Sequence, residues 1–202
     1  MKIKEIIQEL FTQSGRDVIL YKLALPFIKA GIHPNFVTFL AFLTNVLCGL
    51  FICLSKFWLA GIFLLLAFPL DGIDGVVARA TGKTSLFGAF LDSVLDRYGE
   101  FFIYFGALLY YRDKLWILIL IFFALLGSYM VSYTRARAEG LGQECKVGFT
   151  QRGVRIFLLM IGLFCGQKIF PYFVALIAFL SNWTALYRFF YVKNKLRRRD
   201  NA

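Results

Sequence analysis

The sequence predicts an all-α, polytopic membrane protein: six transmembrane helices preceded by an amphipathic helix on the membrane surface. Three observations carry this. Hydrophobic residues fill 59% of the 202 positions and charged residues 17%, against about 45–50% and 25% in a globular domain. Uncharged runs occupy 36–55, 115–134 and 169–187, each near the ~20 residues a helix needs to cross a bilayer. The formal charge is +11, from 23 Lys+Arg against 12 Asp+Glu. A soluble chain this basic would suggest nucleic acid. With so apolar a composition an anionic lipid surface is the partner instead, and nucleic acid is not expected.

Taken in order, residues 2–12 place Ile3, Ile6, Ile7, Leu10 and Phe11 at helical spacing. They predict a surface helix within an interfacial segment, 1–30. No short basic region followed by a cleavable apolar stretch opens the chain, so no leader is expected. The first span is 36–55. The second begins as an uncharged run, 57–70, and then meets Asp71 and Asp74. The third, 86–111, carries Asp92, Asp96, Arg97 and Glu100 in its first half. The fourth is 115–134. The fifth, 156–167, is short and is expected to begin nearer Phe149, and 169–187 is the sixth. The spans form one domain, with a core over 31–192 and a basic tail over 193–202.

The loops between spans one and two, three and four, and five and six hold only Lys56, Arg112, Lys114 and Lys168, leaving 19 of the 23 basic residues on the other side. This positive-inside bias places both termini in the cytoplasm, in a multi-pass protein of the cell (inner) membrane. The cysteines, Cys48, Cys53, Cys145 and Cys165, form no CxxC pair and read as small packing residues. His33 reads as interfacial, and Asn45 and Asn182 as helix–helix hydrogen-bonding groups.

Four carboxylates do not fit a membrane interior. They stand in Asp71-Gly-Ile-Asp74-Gly75-Val-Val-Ala78-Arg79 and, after eight residues, Gly88-Ala-Phe-Leu-Asp92-Ser-Val-Leu-Asp96. Asp71 and Asp74 are i and i+3; Gly88, Asp92 and Asp96 are each four apart, so each set shares one helix face. At 1.5 Å per residue Asp71 lies about 21 Å from the outer edge, and Asp92 and Asp96 about 9 and 15 Å from the inner one. A short turn makes the two helices antiparallel, so the four fall at similar depth and open toward the cytoplasm. Each costs about 2.5–3.5 kcal/mol at mid-membrane. Arg79 and Arg97 are too few to balance them. Divalent cations suit these hard oxygen ligands, magnesium or manganese above all, and a metal among aspartates binds diphosphate. Gly75 and Gly88 leave room for a ligand beside the carboxylates.

These residues resemble the signature of the CDP-alcohol phosphotransferases, D-x2-D-G-x2-A-R-x8-G-x3-D-x3-D. Asp71, Asp74, Gly75, Ala78, Arg79, Gly88, Asp92 and Asp96 match it at every defined position. His33-Pro34-Asn35-Phe-Val-Thr38 is similar to the P-N-x-x-T that opens the family's first span. The resemblance implies that a CDP-alcohol, usually CDP-diacylglycerol, is attacked by the hydroxyl of a small alcohol with release of CMP. It implies that Asp71, Asp74 and Asp92 ligate metal, that Asp96 shares a second ion, and that Asp96 is the general base. It implies that Gly75, Ala78 and Arg79, with Asp71, Asp74 and Gly88, contact the CDP group, and that the protein is a homodimer. Phosphoryl displacement needs neutralisation of the diphosphate and a base on the nucleophile's side, and a carboxylate among carboxylates has the raised proton affinity of a base.

The second half of the chain bears on the acceptor. Ser132-Tyr-Thr-Arg135-Ala-Arg137-Ala-Glu139 closes the fourth span and Gly148-Phe-Thr-Gln-Arg152-Gly-Val-Arg155 opens the fifth. Arg152 and Arg155 are i and i+3. With Arg135 and Arg188 they predict a cationic pocket at the inner face for a phosphorylated alcohol, since arginine matches phosphate geometry. Both runs resemble the phosphatidylinositol-phosphate synthase branch and its archaeal counterpart, which implies inositol 1-phosphate as acceptor. Alternatives are a phosphatidylglycerophosphate synthase using glycerol 3-phosphate, and an enzyme joining CDP-inositol to inositol phosphate. Outside enzymes, a divalent-cation transporter is the competing class. It is disfavoured because the charges crowd the inner half and no internal repeat is present.

Overall fold

The structure is a computed structural model that describes residues 15–200, with side chains described from 18 to 197. The surface helix predicted at 2–12 lies outside the described residues. The described chain forms seven helices and no strand: α1 (Gly15–Lys29), α2 (Pro34–Cys53), α3 (Phe57–Thr81), α4 (Leu86–Tyr110), α5 (Leu115–Gly140), α6 (Arg152–Cys165) and α7 (Phe170–Asp200).

Six helices follow α1, close to the positions predicted for the six spans. Four are long and apolar enough to cross a membrane: α2, α3, α5 and α7. The other two differ for separate reasons. With 25 residues, α4 reaches about 37 Å, but its first half carries the charges of the motif. With 14 residues, α6 reaches only about 21 Å, short of a hydrocarbon core of about 30 Å. It begins at Arg152, earlier than Ile156 and close to Phe149, after an extended Gln151.

Contacts divide the chain into two compact units. The first comprises residues up to Leu47 together with Ile62–Glu100. Its core joins Ala24 of α1 to Val37 of α2 and to Ile73, Val76 and Val77 of α3. Pro34 opens α2, where its missing N–H costs nothing. Gly82, at φ +68, ends α3, and the Ser85 hydroxyl accepts the Gly88 amide at 2.9 Å to cap α4. Ser85 therefore fixes where the second half of the carboxylate motif enters its helix.

The second unit comprises Cys48–Gly61 and the chain from Phe101 onward. Here the backbones of α2 and α4 touch: a Cβ on Gly106 would lie 2.0 Å from the Gly49 carbonyl oxygen. Small residues at this crossing permit what no side chain would. Phe57, Tyr110 and Phe170 pack edge to face, and the Tyr110 and Tyr111 hydroxyls both donate to Gln167. Helices α5 and α6 pack on α7. Asn182 donates to the Phe123 carbonyl at 2.9 Å, joining α7 to α5. All four cysteines are free.

Candidate active site

Helices α3 and α4 carry the motif, and the first unit gathers most of it around one cavity of about 240 Å³. Its wall includes Asp74, Gly75, Ala78 and Arg79 from α3, and Gly88 and Asp92 from α4. A side chain at either glycine would crowd its neighbours. A Cβ on Gly75 would sit 3.3 Å from Arg79 Nη1, and one on Gly88 would sit 3.0 Å from Ser85 Oγ and 3.3 Å from Asn35 Oδ1. Their missing side chains leave space that the cavity occupies.

Asp92 also belongs to a second grouping. Asp71, Asp92 and Asp96, each half-buried, present one carboxylate oxygen apiece within 4.8 Å of one another. The triad therefore abuts the cavity at Asp92. Oxygens facing each other across an octahedral magnesium ion are about 4.2 Å apart, given metal–oxygen distances of about 2.1 Å. Three carboxylates at this spacing fit a hard divalent cation after a small adjustment.

Asp74 differs from the other three. One of its oxygens accepts the Thr38 hydroxyl at 2.8 Å and the other accepts the Gly75 amide at 2.6 Å. Three residues of helix turn a side chain by about 300°, so Asp74 is rotated some 60° from Asp71, which turns it toward α2. Asp96 lies 3.7 Å from the Arg97 guanidinium, which also donates to the Ser93 carbonyl.

The cavity wall contains residues that the motif does not name as ligand contacts: Asn35, Lys83, Thr84, Ser85 and Ala89. Asn35 and Thr38 stand in the Pro-Asn-x-x-Thr run. Ser85 had a readable signal, a hydroxyl residue directly before a helix. Lys83 adds a second cation to the one from Arg79, on the same wall as two carboxylates.

The arginines expected at the acceptor lie in the second unit. Arg135 is exposed and paired with Glu139 at 2.8 Å, one helical turn on. Arg155 and Arg188 are buried. Arg155 donates to the Thr150 carbonyl at 3.2 Å. Arg188 donates from Nε to the Val147 carbonyl at 2.8 Å and from Nη1 to the Val131 carbonyl. These bonds use two of the five donors a guanidinium has. Arg188 thus reaches α5 one turn before Arg135, and Arg155 bonds the carbonyl of Thr150, whose amide meets Thr184 one turn before Arg188. Arg152 opens α6 one turn before Arg155. In the segment between α5 and α6, the Lys146 ammonium beside Glu144 holds its carboxyl below the usual range.

The sequence profile of the CDP-alcohol phosphatidyltransferases matches residues 31–194. The chain belongs to this family. Family membership decides between the enzyme and transporter readings in favour of the enzyme. The chain is similar to the archaetidylinositol phosphate synthase of Pyrococcus horikoshii, 42% identical over 153 residues, which cover 75% of this chain and 80% of the relative. It is similar to the phosphatidylinositol phosphate synthase of Cutibacterium acnes, 34% identical over 157 residues, 75% of each chain. Among solved structures, the phosphatidylinositol phosphate synthase of Mycobacterium tuberculosis with CDP-DAG bound superposes with a TM-score of 0.78 at 25% identity, covering 86% of this chain and 93% of that one. The same enzyme in complex with manganese and citrate gives a TM-score of 0.78 at 25% identity, covering 86% and 88%.

Proposed function

We propose that this family member transfers the phosphatidyl group of a CDP-lipid, CDP-diacylglycerol or its ether-linked equivalent, to inositol 1-phosphate and releases CMP. One observation carries the reading: Asp74, Gly75, Ala78, Arg79 and Gly88 line a single cavity whose wall, at Asp92, is also part of the carboxylate triad. The synthases similar to this chain support the choice of acceptor.

In this reading the CDP group lies along Gly75, Ala78 and Gly88, with Arg79 and Lys83 on the diphosphate oxygens. Asp71, Asp74, Asp92 and Asp96 hold the divalent cations, two of magnesium or manganese. Bound there, such ions neutralise the diphosphate. Thr38 holds Asp74 in its orientation. Asp96 takes the proton from the acceptor hydroxyl, whose oxygen attacks the phosphorus that carries the lipid. The bond from that phosphorus to the bridging oxygen breaks, and the oxygen leaves with CMP. Arg135, Arg152, Arg155 and Arg188 hold the acceptor's own phosphate, each guanidinium able to grip two oxygens.

The same reading takes the chain as one catalytic membrane domain with six crossings, both termini cytoplasmic, working as a homodimer. Helix α4 crosses despite its charges because Asp92 lines the cavity and Asp96 joins the carboxylate triad, and α6 starts below the inner surface, from a segment whose Cys145 and Thr150 are buried in protein. Non-helical backbone is tolerated at that depth under those conditions. Product chemistry tests the transfer. The lipid formed from CDP-lipid and inositol 1-phosphate carries two phosphorus atoms in different environments, a diester and a monoester. A product with the diester alone refutes a phosphorylated acceptor.

A further inference from the structure

The segment joining α5 to α6 is laid along one stripe of α7. Leu180, Thr184 and Arg188 are four residues apart, so they share a face. Each meets the segment: Leu180 through Thr150, Thr184 through Gly148 and Thr150, Arg188 through Val147. Gly148, at φ +110, lies so close that a Cβ there would be 2.4 Å from Thr184 Cγ2.

Thr150 and Thr184 are 0% and 1% exposed, and their hydroxyl oxygens are 2.8 Å apart. The Thr150 amide donates to Thr184 Oγ1 at 3.3 Å, and the Thr150 hydroxyl donates to the Leu180 carbonyl at 2.8 Å. One proton arrangement satisfies all three contacts: the Thr184 hydroxyl donates to Thr150 Oγ1, leaving no donor of the pair unused. The Thr150 carbonyl then accepts Arg155 Nη1 at 3.2 Å. Thr150 is thus the node through which the position of α7 reaches the Arg155 guanidinium. Gln151, the extended residue before α6, makes no side-chain cap, and the threonine pair ties the chain to α7 just before the helix begins.

We propose that Thr150 and Thr184 are positioning residues for the acceptor: their paired hydroxyls fix the start of α6 and with it the aim of Arg155. This rests on the reading of Arg155 as a ligand of the acceptor phosphate. Losing one hydroxyl leaves a buried polar partner unsatisfied, and the expected consequence is a weaker acceptor site rather than a weaker CDP site.

The experiment compares Thr184→Val, Thr184→Ser and Arg155→Ala in the purified full chain. It measures KM for inositol 1-phosphate, KM for the CDP-lipid, kcat and the thermal unfolding midpoint. Thr184→Val is expected to raise the acceptor KM roughly 5- to 30-fold with the CDP-lipid KM within about twofold. Thr184→Ser, which keeps the hydroxyl, is expected to stay within about twofold on both. If the Val and Ser variants behave alike, or if both KM values rise together, the positioning role is overturned. An Arg155→Ala acceptor KM equal to that of the parent brings down the phosphate reading and this proposal with it. A raised value for Arg155→Ala beside an unchanged one for Thr184→Val removes the positioning role alone. Should Thr184→Val not fold, Thr150→Val removes the other hydroxyl and is judged by the same criteria.

Discussion

The Thr38 hydroxyl lies 2.8 Å from an oxygen of Asp74, a contact between α2 and α3 in which both residues are buried. Hydrogen bonds to a charged group contribute about 1.5–3 kcal/mol. This one ties the Asp74 carboxylate of α3 to α2. Thr38→Val is therefore expected to lower the rate of CMP release about 10- to 100-fold, while Thr38→Ser keeps most of it. Rates on the two purified variants check this, and equal rates would deny Thr38 its supporting role.

Removal of metal gives the second prediction. Asp71, Asp92 and Asp96 converge to within 4.8 Å, a grouping that repels itself unless a cation or a proton intervenes. Chelation is expected to abolish CMP release, and added magnesium or manganese to restore it. Full turnover in a metal-free preparation would contradict the metal assignment.

Asp96→Asn separates base from ligand. General base catalysis contributes at least about 10²-fold, so turnover is expected to fall by that much or more. CDP-lipid binding, followed by equilibrium titration, is expected to survive better than in Asp71→Asn. Near-parental turnover in Asp96→Asn would assign the base elsewhere.

The triad was legible in the sequence because helical spacing brings Asp92 and Asp96 to one face and a short turn opposes them to Asp71. The Thr38–Asp74 contact was not legible, since its two ends are 36 residues apart on different helices. Uncharged length showed α2, α5 and α7 directly, whereas α3, α4 and α6 were read as spans from apolar runs that are short or interrupted by charge. Helix α1 went unread because Ile19 and Leu23 are exposed while Ala24 is buried, so its apolar residues do not mark a single face. For the four arginines proposed at the acceptor, the sequence gives residue type and place in the chain but not the carbonyls that Arg155 and Arg188 bond. The Thr150–Thr184 node was not, because a hydroxyl residue between helices gives no sign of which distant helix it meets.

Packing supplies a prediction independent of chemistry. A Cβ on Gly106 would lie 2.0 Å from the Gly49 carbonyl oxygen, and one on Gly49 would lie 2.2 Å from the Phe102 carbonyl oxygen. Backbone must move to admit either. Overpacking of this kind costs about 1–3 kcal/mol or more, so Gly106→Leu is expected to lower the unfolding temperature in detergent by several degrees or to prevent folding. An unchanged unfolding temperature would show that the two helices are not in backbone contact.

The central claim, transfer to a phosphorylated acceptor, is tested most directly by initial rates of CMP release on one preparation with a CDP-lipid, magnesium and four acceptors in turn. Inositol 1-phosphate is expected to be fastest, with free inositol and serine at least about tenfold slower, since removing the acceptor's phosphate forfeits charge-assisted hydrogen bonds of about 1.5–3 kcal/mol. Glycerol 3-phosphate is expected between them. Equal or faster release with free inositol or serine would contradict the account, and a lead for glycerol 3-phosphate would overturn its choice of alcohol.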